Sequence, residues 1–344
     1  MTTTDKNDLQ QSKSPNTVCM HYVHAACQNA EAAGLNVEDC LEQAGLQLNL
    51  LKKPQARISA LRYEKLTRYI AEQLDDELLM QGGIARSRVG CFNLMCHLAI
   101  HEQTLRQGIL RSLQFYKLLW GDIYYQLSSD EDLAYLSIHF DNPSTDPLHI
   151  TKDCGLVLLH RFFSWLINQH IPLHHVTYTF TKPDHHEEHN RLYRCPIHYS
   201  GDIDAIAFSN ALLNKPVVQT KETLSHFLKG APSNLMVIPS NGNSLTSQIR
   251  VVLAESLYTT PPSLEQIANA LNTTTQTVRR KLKKENTSYQ EIKDQLRQDS
   301  AINFLCNSNL PINDIALRLG FSEPSTFHRA FKKWTGTTPG NYRR

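Results

Sequence analysis

Two sets of side chains in this chain have the types and spacing to hold a polyanion and read its edges. Ser325, His328, Arg329 and Lys332 form one; Thr274, Gln276, Thr277, Arg280 and Lys281 form the other. An arginine fork can hydrogen-bond the O6/N7 edge of guanine or clamp a phosphate, a lysine ammonium neutralises phosphate, and hydroxyl, amide and imidazole groups serve either purpose. Arg280 and Arg329 can equally pair with carboxylates of the protein itself. Which chemistry is open to them depends on the elements that carry them.

The stretch PINDIALRLGFSEPSTFHRAFKKWTG, at 311–336, puts Ile312, Ile315, Ala316 and Leu319 on one helical face, breaks it at Gly320, and puts Phe327, Ala330, Phe331 and Trp334 on a second. The spacing predicts two short helices with a tight turn, Ser322 capping the second, Pro324 in its first turn and Gly336 just past its end. This is a helix-turn-helix, whose second helix fits a DNA major groove. With the apolar side inward, Ser325, His328, Arg329 and Lys332 face out. The pattern occurs once before: Ile267, Ala268 and Leu271, a turn at Asn272 and Thr273, then Val278 and Leu282, with Arg280 in the place of Arg329. Thr274 is the expected cap of this earlier recognition helix, and Ser263 with Gln266 forms a capping box before it. Tyr289 to about Asn307 has no Pro or Gly and keeps Ile292, Leu296, Phe304 and Leu305 at helical spacing, so one helix is expected to join the two units.

Residues from about 245 to 344 resemble the DNA-binding domain of the AraC/XylS family of transcription regulators, the segment GFSEPSTFHRAFKKWTGTTPGNYR at 320–343 most of all. The resemblance implies an all-α domain with recognition helices in successive major grooves. It also implies double-stranded promoter DNA, RNA polymerase, a small-molecule effector and a second copy of the chain, as a homodimer, for partners. Thr275 stands where relatives often carry Pro and Asn286 where they carry Gly; Asn tolerates the left-handed conformation, so the fold expectation stands.

Charge agrees with that placement. Residues 245–344 carry 14 Lys and Arg against 8 Asp and Glu, a surplus of +6, which leaves 21 against 25, or −4, for residues 1–244. Phosphate contacts need such a surplus. The opening MTTTDKNDLQQSKSPNT is polar and lacks the apolar core of a signal peptide, so 1–17 reads as a disordered tail. Leu156–Ile167, the nearest approach to a membrane span, is interrupted by His160 and Arg161, so a soluble, cytoplasmic protein is expected. The 8 cysteines include no C-x-x-C pair, against a zinc ribbon or redox motif and in favour of reduced, mostly buried thiols.

Helical spacing also runs through Val18–Ala33, Val37–Ala44, Ser59–Leu74 and Glu102–Leu119. Alternation at Asp122–Leu127 and Leu133–Phe140 predicts a β-hairpin. Leu148–His170, apolar almost all round, predicts a buried helix, His174–Phe180 and Cys195–Phe208 read as strands, and Lys221–Lys229 as a closing helix. The expected plan is therefore a tail at 1–17, an α+β effector-sensing or dimerisation domain at 18–232, a linker at 233–244 and an all-α DNA-binding domain at 245–344. GCFNLMCHLAIHEQTLRQGILRSLQFYKLL (90–119) and HHVTYTFTKPDHHEEHNRLYRCPIHY (174–199) resemble, more loosely, the effector domain of AraC relatives grouped with ornithine-responsive, alkane-responsive and virulence regulators. No jelly-roll succession of short strands is visible, which sets aside the cupin-like sugar-binding domain of the arabinose regulator itself.

Of 16 histidines, 15 precede residue 245. His185, His186 and His189, beside Glu188, have spacing that a metal can use, but Pro183 and the charges around them point to a solvated loop instead, and no metal or cofactor is expected. His97, His101 and His160, in apolar stretches, read as satisfied core histidines. Phe115, Tyr116, Trp120, Tyr124, Phe162, Phe163 and Trp165 can line a pocket for an apolar effector, though aromatics at helical spacing usually fill cores. Few obvious buried charges lean towards a fatty-acyl or alkane-like effector. No Gly-rich phosphate loop, G-x-S-x-G elbow or H-E-x-x-H is present, so no catalytic residue is assigned and an enzyme is not expected. Two other readings remain: a DNA-binding protein whose ligand-free amino-terminal domain contacts protein partners only, and a DNA-tethered enzyme like the DNA-repair methyltransferases, which need a cysteine-bound zinc that this spacing does not provide.

Overall fold

The computed structural model describes residues 17–79, 86–121, 123–141, 146, 148–230, 235, 245–256, 262–285 and 287–343. Its elements run β1 (Thr17–Cys19), α1 (Met20–Ala32), α2 (Val37–Gln43), β2 (Arg57–Ser59), α3 (Ala60–Leu74), α4 (Cys91–Ala99), α5 (Leu105–Leu119), β3 (Ile123–Ser129), β4 (Leu133–Phe140), α6 (Ile150–Leu166), β5 (Leu173–Thr177), α7 (His186–Tyr193), β6 (Ile197–His198), β7 (Asp204–Ser209) and α8 (Lys221–Gly230). They continue with α9 (Leu245–Ser256), α10 (Leu264–Ala270), α11 (Thr275–Lys284), α12 (Tyr289–Asn307), α13 (Ile312–Arg318), α14 (Pro324–Thr335) and α15 (Pro339–Arg343). Two compact units result: His21–Leu48 with Leu61–Asn243, and Met1–Met20 with Asn49–Ala60 and Ser244–Arg344. The expected tail, to residue 16, and the expected linker 233–244, Leu235 apart, lie outside the described residues.

In the amino-terminal unit the hairpin forms as the alternation predicts, with Ile123 opposite Phe140 and Ser129 opposite Ala134; Asp122 lies outside the described residues. It makes one edge of a five-stranded sheet in the order β3-β4-β7-β5-β6, antiparallel except for β5 against β6. α5 starts at a Thr104–Gln107 capping box, which satisfies two of its orphan amides, and turns Leu105, Ile109, Leu113 and Tyr116 inward. These meet Leu156, Phe162, Phe163 and Leu166 of α6 and Leu136, Ile206 and Phe208 of the sheet in one core. The architecture is α+β. The aromatic set packs on itself: Tyr116 stacks on Trp120 at 4.3 Å, Phe162 and Phe163 are buried, and Trp165 stacks on Phe227 at 4.3 Å, with Phe115 and Tyr124 part-buried.

Three sequence expectations change. The stretch at 185–193 forms α7 rather than a solvated loop, and His189 in it is fully buried. The buried face of that short helix is polar, comprising Glu188, His189 and Tyr193, so no apolar periodicity announced it. His97 and His101 are exposed; among the three expected core histidines only His160 is buried, donating from Nε2 to the Ile171 carbonyl at 2.8 Å. Finally, α6 carries Lys152, Asp153 and Arg161 as well as His160 on its buried side, and Lys152 pairs with Asp204 of β7 at 2.9 Å. Buried charges are therefore present, and the ground for an apolar effector is removed. Cys19, Cys27, Cys40, Cys96 and Cys195 are buried, Cys91, Cys154 and Cys306 part-buried, and all are free thiols. No helix of the described residues is long and apolar enough to cross a membrane.

Candidate nucleic-acid interface

The first helix of each helix-turn-helix ends in the same way. In α10 the Thr273 N–H reaches the Ala268 carbonyl at 2.9 Å and Asn272 that of Asn269 at 3.0 Å; in α13 Phe321 reaches Ala316 at 3.1 Å and Gly320 reaches Leu317 at 3.0 Å. Both satisfy last-turn carbonyls by a left-handed residue, Asn272 at φ 49° and Gly320 at φ 72°. The second turn is one residue longer. Thr274 caps α11, accepting from the Thr277 N–H, whereas α14 starts after Glu323 with Pro324 in its first turn. Ser322, the cap expected from the sequence, is one residue too early: Pro324 suits the first helical position because its missing N–H is unneeded there, which makes its predecessor the boundary. Gly336 ends α14 at φ 73°.

Apolar faces fix the orientation of the recognition helices. Ile267, Ala268, Val278 and Leu282 are buried in the first helix-turn-helix, and Ile315, Ala316, Leu319, Phe327 and Phe331 in the second. Their burial leaves Gln276, Arg280, Lys281, Ser325, Arg329 and Lys332 exposed and Thr277 and His328 part-exposed, as the sequence predicts. Two of the expected contacts have other duties. The hydroxyl of Thr274 serves the cap and lies 3.0 Å from that of Thr277, and Ser325 Oγ donates to Glu323 at 3.2 Å. The side chains of Arg280, Lys281, Arg329 and Lys332 make no hydrogen bond or ion pair among the described residues. Arg279 and Lys283 are exposed as well. Arg279 occupies on α11 the place of His328 on α14, and extending the repeat by one position would have found it.

α12, 19 residues long, joins the two readers and is fixed by a Ser288–Glu291 capping box. Its Ile292, Leu296, Ile302 and Leu305 are buried. Arg297 holds the second turn by placing its guanidinium over the Phe321 ring at 5.1 Å and donating to the Gly320 carbonyl at 3.3 Å. Glu285, closing α11, accepts from the N–H groups of Leu245 and Thr246 at 3.0 and 2.9 Å and so caps α9. A two-stranded ribbon from distant sequence completes the unit. Thr17 Oγ1 donates to Asp299 at 2.6 Å and accepts from Arg57 Nε at 2.7 Å, the Arg57 N–H donates to the Tyr342 hydroxyl at 3.1 Å, and Arg250 pairs with Asp299 at 3.4 Å.

Comparison with known proteins agrees with this arrangement. Residues 34–217, just over half of the chain, match the family described as the arabinose-binding domain of AraC transcription regulator, N-terminal, and residues 267–344 match a helix-turn-helix domain family. The first of these carries the arabinose regulator's name; the described residues of the amino-terminal unit form one five-stranded sheet with helices. The chain is 24% identical to the ornithine utilization regulator of Pseudomonas aeruginosa over 94% of its own length and 95% of that protein. It is 31% identical to the transcriptional regulator VqsM of the same organism over 48% of this chain and 47% of that one. Among solved structures, the transcriptional regulator CdpR from Pseudomonas aeruginosa aligns at 21% identity over 82% of this chain and 91% of that chain, with a TM-score of 0.31. The chain belongs to the AraC family of DNA-binding transcription regulators, its ligand-binding domain preceding the paired helix-turn-helix.

Proposed function

We propose that α11 and α14 enter successive major grooves of promoter DNA, with Arg280 and Arg329 reading guanine edges and Lys281 and Lys332 holding phosphates, while the amino-terminal unit binds a small polar effector and pairs two chains. The observation that supports this most is the repetition itself: two recognition helices with matching buried faces leave their basic residues unpaired on the outer face. α12, at about 1.5 Å per residue, is about 28 Å long and suited to hold readers about one DNA turn apart. A single double-headed reader has limited affinity, and a homodimer raises it through effective concentration alone; RNA polymerase is the further partner at the promoter. The buried charges of α6, and a relative of nearly full length named for ornithine utilization, favour an amino-acid-like effector over an alkane.

Fluorescence anisotropy of the full chain on promoter duplex, across a salt series, tests the DNA reading. Affinity should fall steeply, linearly in log–log form, as counterions released by several Lys and Arg are counted. A salt-independent affinity would contradict it. Thermal shift with L-ornithine and L-arabinose as probes tests the effector reading, since a ligand that binds only the folded chain raises its melting temperature.

A further inference from the structure

We propose that the amino-terminal unit holds a divalent transition-metal ion of the zinc class, bound by His21, Asp153 and His185, with His189 orienting the carboxylate. His21 lies in the first turn of α1, Asp153 in the first turn of α6 and His185 immediately before α7, so three separate elements converge. One ligand atom from each lies within 4.8 Å of those of the other two. Two ligands about 2.1 Å from a tetrahedral ion sit about 3.4 Å apart, so modest side-chain rotations bring all three onto one ion.

Asp153 carries the strongest observation. Its side chain is 0% exposed. Oδ2 accepts from His189 Nε2 at 2.9 Å and, more distantly, from His185 Nε2 and the Tyr22 hydroxyl, both at 3.4 Å. Oδ1 is buried and has no hydrogen-bond partner among the described residues. A bare carboxylate oxygen in a protein interior is costly, and a cation is the partner that removes the cost.

The imidazoles reach the same ion by a rotation. His21 and His185 stack face to face, centroids 3.6 Å apart and 15° between planes, and because each nitrogen lone pair lies in its ring plane, one ring turns out of the stack when both meet one metal. His189, fully buried, bridges the Tyr199 hydroxyl at 2.9 Å and the carboxylate, as outer-sphere histidines do. His186, the third histidine of the sequence cluster, is turned to the Pro183 carbonyl at 3.0 Å and stays outside. Two nitrogens and one carboxylate oxygen fit Zn²⁺ or Fe²⁺ better than Ca²⁺ or Mg²⁺, and a three-ligand set leaves a coordination position for water or for the donor atom of a small ligand.

The test uses the full-length chain stripped with a chelator and titrated with Zn²⁺ and with Co²⁺ as a visible-absorbance probe. One equivalent per chain should bind, raise the melting temperature and give Co²⁺ ligand-field bands, and His185→Gln and Asp153→Asn should each weaken binding at least about tenfold. Part-exposed His185 can be changed without opening the core, so the test survives if the Asp153 variant fails to fold. Exposed His174 and part-buried His175, Nδ1 atoms 2.9 Å apart, are the competing site. Stoichiometric binding absent from the wild type, or binding that survives His185→Gln and disappears in the His174→Asn, His175→Asn double variant, would overturn the proposal.

Discussion

Arg280 and Arg329 stand at equivalent places on two helices, exposed and unpaired. If each forks a guanine edge, Arg280→Ala or Arg329→Ala should cost about 1–3 kcal/mol of DNA binding and relax preference at one position of one box. If each holds phosphate, affinity should drop for all sequences alike and the salt slope should fall by about one. Binding by both variants to a panel of single-base substitutions at two salt concentrations separates the outcomes. The turns make a second residue-scale prediction. Asn272 pays for its left-handed backbone and Gly320 does not, so Asn272→Gly should be neutral or slightly stabilising while Gly320→Ala should cost about 1–2 kcal/mol, read by urea denaturation. His160 supplies a third. Burial, with His170 beside it, holds its pKa down at about 3. The unfolded chain takes up the proton below about 6.5, so this stability is fully present above that pH and is lost at about 1.4 kcal/mol per pH unit as pH falls towards 3. Between about pH 7.5 and about pH 5.5, with chelator present, the wild type should lose about 1 kcal/mol more than His160→Gln; equal losses would contradict the assignment.

Elements differed in how plainly the sequence announced them. α12 matched its expected bounds because Ile292, Leu296, Phe304 and Leu305 keep one face apolar over many turns without Pro or Gly. Both recognition helices were legible for the same reason, and their caps nearly so. α7 was not, since what it buries is His189 and Glu188, which hydrogen bonds and charge hold in place rather than apolar contact. The β1–β2 ribbon was not legible either. Three residues per strand are too few to show alternation, and nothing local in Thr17 or Arg57 points to Asp299, more than two hundred positions away. Of the site, the outward residues followed from the apolar faces and the Thr274 cap from its place before the helix, whereas the hydrogen bond that Ser325 gives to Glu323 was not legible. The ribbon makes its own prediction. Thr17→Val removes a donor from the buried Asp299 carboxylate and an acceptor from Arg57, so it should cost about 1–3 kcal/mol of stability. A fragment of residues 240–344 should therefore be helical yet less stable than the same helices in the full chain, with urea midpoints as the check.

At the scale of the whole molecule the chain gives its first strand to the carboxy-terminal unit, leaves it after Met20 and returns at 49–60, before the final hundred residues complete it. A regulator built this way carries its reader and its ligand-binding domain on interleaved sequence, so truncation at residue 244 removes part of the reader's support as well as the sensor. The basic surplus stays with the reader, +6 against −4, which keeps phosphate attraction local to the recognition helices. The central claim is that one chain reads two boxes through two equivalent helices. Selection of the full-length protein on a randomised duplex, followed by sequencing, tests it most directly. Two different preferred boxes centred about 10 bp apart on one face of the duplex are predicted, with Arg280→Ala blurring one and Arg329→Ala the other; enrichment of a single box, unaltered in its preference by either substitution, would contradict the account.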